Sequence, residues 1–177
     1  MKKYEFTGET KTVPFFFKDV TLHRIQAITS FANVVAGELG GWIEKEENLS
    51  HKGDAWVYGD AVVCGDAVVS GNAVVRGNAV VRENAWVRGN AVVCGDAVVS
   101  GDAEVFSVRH VLVIGPIGSR NAFTTFYHDK DNEITVQCGC FIGKIDKFLE
   151  KVTQTHCDSK YALVYRAAVE VAKLQMN

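Results

Sequence analysis

From Gly53 to Phe106 the apolar positions recur two apart inside a period of six. The register reads Gly-Asp-Ala-Trp-Val-Tyr at 53–58, Gly-Asp-Ala-Val-Val-Cys, Gly-Asp-Ala-Val-Val-Ser, Gly-Asn-Ala-Val-Val-Arg, and so on to Gly-Asp-Ala-Glu-Val-Phe at 101–106. Position 3 is always Ala and position 5 always Val across nine repeats. Side chains two apart on an extended chain point the same way, so this pair marks the inner side of a short strand. A helical period of about 3.6 residues does not fit the pattern. Positions 1 and 2, Gly followed by Asp or Asn, are corner residues, because glycine accepts positive φ and Asx side chains bond nearby amides. Only Glu83 replaces the leading glycine. Each repeat is therefore one flat strand and one corner.

The flanks follow other rules. Residues 4–28 alternate polar and apolar, with Tyr4-Glu5-Phe6-Thr7 and Val20-Thr21-Leu22-His23-Arg24-Ile25 as strands. Thr7-Gly8-Glu9 reads as the turn of a hairpin between them. Gly37, Gly40 and Gly41 beside Trp42 and Ile43 predict a bend into a first, imperfect coil, since the open end of a solenoid needs a cap. Beyond Phe106, Val108–Ile114, Phe123–Tyr127 and Ile134–Cys138 read as three strands, with Asp129-Lys130-Asp131-Asn132 as the turn between the last two. Ile145, Phe148, Leu149 and Val152, then Tyr161, Tyr165, Ala168 and Ala172, fall at helical spacing on either side of Cys157-Asp158-Ser159. The expected organisation is a hairpin and capping coil over 1–52, a solenoid over 53–106, and an α+β domain of three strands and two helices over 107–177.

The repeats resemble the hexapeptide-repeat, left-handed β-helix family. The resemblance implies a mainly β chain in which three repeats make one triangular coil, giving about three complete coils plus the N-terminal cap. It implies little about activity, because the family holds acyltransferases, carbonic anhydrase-like proteins and purely structural members. The lead-in, Ile25-Gln26-Ala27-Ile28, Gly40-Gly41-Trp42-Ile43 and Asn48-Leu49-Ser50, resembles that of uncharacterised repeat proteins of bacteria and their phages. That second resemblance implies a phage-encoded, host-directed role, such as inhibiting or sequestering a component of a bacterial defence system.

Three repeats to a coil place the position-4 side chains in rows on the outer walls: Trp56, Val74 and Val92; Val62, Val80 and Val98; Val68, Trp86 and Glu104. Contiguous apolar rows are unusual on a soluble monomer. The hairpin, the C-terminal domain or other copies of the chain must cover them. Members of the resembled family usually assemble as trimers through such faces, which makes the eight apolar members of these rows the expected homo-oligomer interface. Arg76, Arg82 and Arg88 occupy position 6 of three successive repeats. They read either as solvated charge that keeps a valine-rich rod soluble or as an anion-binding belt.

The charge balance, 19 basic against 21 acidic residues, supplies no pull toward nucleic acid or an anionic membrane. No apolar run is long enough to span a bilayer, and the expectation is a cytoplasmic chain. Cys64, Cys94, Cys138, Cys140 and Cys157 are an odd number without the spacing of a disulfide scaffold, so they read as reduced thiols.

Acyltransferases of the resembled fold use a histidine in the groove between subunits and a loop extending from the coils, but residues 53–106 hold neither. A three-histidine zinc site cannot be built from these coils either. No catalytic residue, metal ligand or cofactor is therefore assigned. Cys138, Cys140, His156 and Cys157 offer soft ligands or a Cys-His nucleophile, yet a C-x-C pair on one strand turns both thiols to one side and reads more simply as buried. The loop Ile114–Asn121 is the remaining candidate. Gly118, Ser119, Arg120 and Asn121 present backbone and side-chain donors suited to an anion, or else simply make a tight connection. It has no Gly-Lys-Ser/Thr and is not a Walker motif. The expected function is a non-enzymatic, oligomeric binding protein, its C-terminal domain recognising another protein or a small anionic ligand. The alternative is a coenzyme A-dependent acyltransferase.

Overall fold

The nine alanines and nine valines at positions 3 and 5 all lie inside the tube, none more than 1% exposed. In this computed structural model, which describes residues 2–15 and 18–176, a hairpin of β1 (Tyr4–Phe15) and β2 (Lys18–Ala27) leads to β3 (Leu39–Ile43). Nine two-residue strands follow, β4 to β12, at Trp56–Val57, Val62–Val63, Val68–Val69, Val74–Val75, Val80–Val81, Trp86–Val87, Val92–Val93, Val98–Val99 and Glu104–Val105. Every third strand pairs in parallel, Trp56 with Val74 and Val74 with Val92, so the coil closes once in three repeats. Amides of one coil donate to carbonyls of the next, as in Val62 N to Ala79 O and Val80 N to Ala97 O, both 2.9 Å. The leading glycines turn each corner in the left-handed region, at φ of +61° to +75°. Glu83 takes φ +62° without glycine's freedom. Its carboxylate accepts the Gly101 amide at 2.8 Å, a bond that no glycine at this corner could supply.

The cap is built from the hairpin outward. β3 pairs antiparallel with β2 and parallel with β5, so one wall of the solenoid runs on into the hairpin as a six-stranded sheet. The expected turn at Thr7-Gly8-Glu9 is instead an irregularity within β1: pairing with β2 shifts register between Phe6 and Thr10 and resumes to Phe15 opposite Lys18. Gly8 at φ +89° and the Glu9 amide bonded to Thr7 Oγ1 absorb the shift as a bulge rather than a reversal.

Residues 39–49 make the incomplete first coil, with Trp42 opposite Val62 and Leu49 bridged to Val69. Where it is incomplete, carbonyls of the first complete coil would be left unbonded, and two side chains satisfy them. Lys3 Nζ donates to Gly53 O and Ala55 O at 3.1 and 2.7 Å, and burial pulls its pKa down to about 8. Asn48, fully buried, donates to Gly65 O and Ala67 O and accepts from the Lys45 amide. Asn48→Ala strands three backbone groups, that of Ala67 buried and the others part-buried. It is expected to lower stability by about 3 kcal/mol, read from the urea midpoint, with Ser50→Ala nearly silent.

The C-terminal unit has four strands rather than three: β13 (Val111–Ile117), β14 (Ala122–His128), β15 (Ile134–Cys138) and β16 (Phe141–Lys144), antiparallel in chain order. α1 (Ile145–His156) and α2 (Lys160–Met176) follow. The sheet closes the lower end of the solenoid with one face, where Tyr127, Val111 and Val113 join the tube's core. Its other face, with Phe126 and Val136, packs on Phe148, Val152, Tyr165 and Val169 of the helices. Val98 N donates to Thr125 Oγ1 and Lys130 N to Asp102 O, stitching sheet to coil.

Candidate functional site

α1 presents Phe148, Lys151, Val152, Thr155 and His156 on one stripe, spaced three, four, seven and eight residues apart. That stripe faces the β13–β14 turn and the β15–β16 turn across a cleft of about 180 Å³. Ser119 and Arg120 line it from the first turn, and Cys138, Gly139, Cys140 and Phe141 from the second. Tyr165 of α2 reaches in from below. Its hydroxyl accepts from Cys138 Sγ at 3.9 Å, and that sulfur in turn accepts from Thr124 Oγ1 at 3.3 Å. Burial, with Cys138 as a lesser contributor, pushes the Tyr165 hydroxyl up to about 12, so it stays protonated.

The rim is basic. Arg120, Lys151 and His156 contribute cations or donors, and no carboxylate lines the cleft. The nearest acid in sequence to His156, Asp158, is turned to solvent and lies 3.8 Å from Arg166. The floor, Phe141, Phe148 and Val152, is apolar, with the Phe148 ring edge-on to Tyr165 at 5.5 Å. Such a cleft can hold an anionic group against Arg120 and Lys151 while an apolar portion rests on the phenyl rings. Among the described residues no carboxylate lines the cleft to orient His156 as a base toward Cys140.

The expected loop lands in this site, though in another form. β13 runs on to Ile117, leaving Gly118–Asn121 as a hairpin turn in which Asn121 N bonds Gly118 O. Gly118 is buried against Tyr165, Ser119 and Arg120 face the cleft, and Asn121 sits outside its lining. Tyr127, His128 and Lys130 lie away from this turn, toward the opposite end of β14, because Ile117 pairs with Ala122 and Val111 with Tyr127.

Cys138 and Cys140 do not share a strand. β15 ends at Cys138, Gly139 turns at φ +59°, and Cys140 is exposed, as is Cys157. The expectation of buried thiols is corrected at those two positions. Lys151, Thr155 and Tyr165 were not singled out from sequence. The signal available was the α1 stripe, where polar side chains share a face with Phe148 and Val152.

Arg76, Arg82 and Arg88 do not converge. They follow β7, β8 and β9, which belong to three different walls. Arg82 is buried 6.0 Å from the Phe15 ring, and Arg88 pairs with Glu104 at 3.0 Å while lying over Trp86 and Phe106.

The outer rows are partly covered by the chain itself. Trp56 is fully buried under Tyr4 and Phe31, and Val62, with Val80 against it, packs on Val20, Leu22 and Trp42. Trp56 and Val62 are therefore unavailable to a second copy. Val68, Val74, Val80, Val92 and Val98 stay partly open, and Trp86 is 50% exposed. Among the described residues no group of three His, Cys, Asp or Glu side chains is arranged to hold a metal ion. No helix of the described residues is long and apolar enough to cross a membrane.

Stacked parallel coils with Ala and Val inside and Gly-Asx corners define a hexapeptide-repeat β-helix carrying a C-terminal α+β unit. Over 62 residues the chain is 37% identical to the uncharacterized acetyltransferase YdcK of Escherichia coli (strain K12). The match covers 33% of this chain and 19% of that protein, so the chain spans about a fifth of the length of the curated relative it matches. No family model matches the chain.

Proposed function

We propose that the chain is a binding protein in which the β-helix is the rigid core and the C-terminal cleft takes a small anionic molecule with an apolar portion. The observation that carries this reading is the composition of the cleft: Arg120, Lys151 and His156 around an apolar floor, with no carboxylate to repel an anion. Phenyl phosphate has both required parts and is the probe of choice. Calorimetric titration is expected to give saturable binding, with inorganic phosphate weaker for want of the ring. Arg120→Ala and Lys151→Ala each remove a charge-assisted contact of about 1.5–3 kcal/mol, so each weakens the probe about tenfold or more. An absence of binding, or affinities untouched by both substitutions, sinks the reading.

A second reading, coenzyme A-dependent acyl transfer, is favoured by the similarity to a protein described as an acetyltransferase. The absence of histidine between Gly53 and Phe106 counts against it in the coils. Acetyl-coenzyme A at about 100 times its Kd would stabilise the chain by about 2.7 kcal/mol. A thermal midpoint unmoved by acetyl-coenzyme A removes this alternative, and a shift accompanied by release of free coenzyme A in the presence of an amine acceptor replaces the first reading with it.

A further inference from the structure

We infer that the outer face of α2 is a docking surface for a second copy of the chain, the two helices pairing antiparallel about Ala167. α2 is apolar on two sides. Its inner arc, Ala162, Tyr165, Ala168, Val169, Ala172 and Met176, is buried against the sheet and α1. Its outer arc carries Leu163, Val164, Val171 and Leu174 at 60%, 41%, 50% and 84% exposed, with Ala167 between them, also exposed.

A surface helix that has already buried one stripe has no need of a second. Four of the large apolar side chains most exposed in the described structure nonetheless lie along this single line.

The spacing says what fits. Val164, Ala167, Val171 and Leu174 follow intervals of three, four and three, which is the seam of a helix packed on another helix. The seam is self-complementary: turned end for end about Ala167, Val164 and Leu163 meet Val171 and its neighbours, and the small central side chain lets the two backbones approach. Charge is kept to its N-terminal end, where Lys160 stands four residues before Val164, and to one flank. Arg166 leans toward Asp158 and Thr153, and Lys173 pairs with Glu170 at 3.1 Å, all on one flank that stays in water.

A lipid surface would instead call for Lys and Arg along the margins of the stripe, and this margin carries a neutralised Glu-Lys pair. The four side chains expose on the order of 400 Å² of apolar surface, so two copies would bury about 800 Å², and flanking stems such as Lys160 and Gln175 bring the total toward the lower bound of about 1,200 Å² for a stable interface. The pairing also leaves the cleft open, since its residues belong to the opposite side of α1 and the inner arc of α2.

Sedimentation across a micromolar concentration series tests this directly. The full chain is expected to sediment as a dimer, and Val164→Glu with Val171→Glu as a monomer with unchanged circular dichroism. Trp86→Ser, on the solenoid wall, should leave the dimer intact. In a Cys140→Ser, Cys157→Ser background, Ala167→Cys is expected to form a covalent dimer on oxidation. A monomeric full chain overturns the inference, as does an assembly whose mass survives the double glutamate variant or is lost with Trp86→Ser. A monomer that floats with anionic phosphatidylserine vesicles through α2 also overturns it, in favour of a lipid surface. Phenyl phosphate binding is read separately, so failure here leaves the cleft untouched.

Discussion

Trp56→Ala is expected to remove about 3–5 kcal/mol of stability, more than any other change on the outer walls of the solenoid. The side chain occupies position 4 of the first repeat, a position that points away from the tube, yet it is fully buried. The Phe31 ring stands 5.4 Å away and edge-on, with Tyr58 at 6.4 Å and Tyr4 at 6.2 Å in the same relation. These rings bind the N-terminal segment to the first complete coil. Truncation leaves a cavity at the joint that the cap cannot fill by collapse, because β2 and β3 are already fixed in one sheet with β5. Loss of the joint also loosens Lys3 and Tyr4, whose Nζ and hydroxyl satisfy carbonyls of Gly53, Ala55, Glu46 and Leu49. Trp86 is the control. It holds the same repeat position thirty residues on, but half of it faces solvent, and Trp86→Ala should cost about 1 kcal/mol or less. Urea unfolding followed by circular dichroism decides the matter, and equal midpoints for the two variants would refute the account of the cap.

The contrast between these two tryptophans shows where reading the sequence stops. The period of six is a local pattern repeated nine times, so strand, corner and inner face could be read before any contact was known, while closure of the coil after three repeats came with the resemblance to hexapeptide-repeat β-helices. Which outer row is covered depends on chain segments far away in sequence. Nothing in Gly-Asp-Ala-Trp-Val-Tyr distinguishes the buried Trp56 from the exposed Trp86 in Glu-Asn-Ala-Trp-Val-Arg.

The same limit explains the fourth strand. Phe141–Lys144 is four residues long, contains Gly143 and runs directly into α1, so it carries neither alternation nor a terminal signal of its own. It is held by pairing with β15, and that pairing turns Cys138-Gly139-Cys140 from a strand into a bend. Gly8 misled in the opposite sense: glycine with Thr and Glu beside it signals a turn locally, while continued pairing to Phe15 makes it a bulge. The cleft is assembled from segments around 119, 139, 152 and 165. Arg120 and the two cysteines were visible as chemistry, but their meeting with Lys151 and Tyr165 follows only from the sheet folding onto the helices.

Gly118→Ala is where that assembly is expected to fail. Gly118 sits in the left-handed region at φ +73°, and an added Cβ would lie 1.9 Å from the Tyr165 hydroxyl oxygen and 2.3 Å from its ring carbon. Tyr165 cannot simply step aside, because its ring packs edge-on against Phe148 at 5.5 Å within the core of the C-terminal unit. Overpacking of about 1–3 kcal/mol and the strain of a non-glycine residue at positive φ, about 1 kcal/mol or more, act together. The expected loss is about 3 kcal/mol, with phenyl phosphate binding weakened as Tyr165 is driven into the cleft. Tyr165→Phe removes the one atom nearest the clash. In the double variant, part of the loss should return, leaving the share that belongs to φ, so the coupling in a double-mutant cycle is favourable and of order 1 kcal/mol. The three tryptophans, Trp42, Trp56 and Trp86, all precede residue 107, so their fluorescence reports the solenoid and should change little while far-ultraviolet signal from α1 and α2 melts earlier. Strictly additive single and double variants would mean that Gly118 is needed for its backbone alone, and the contact between the β13–β14 turn and α2 would then have no part in shaping the cleft.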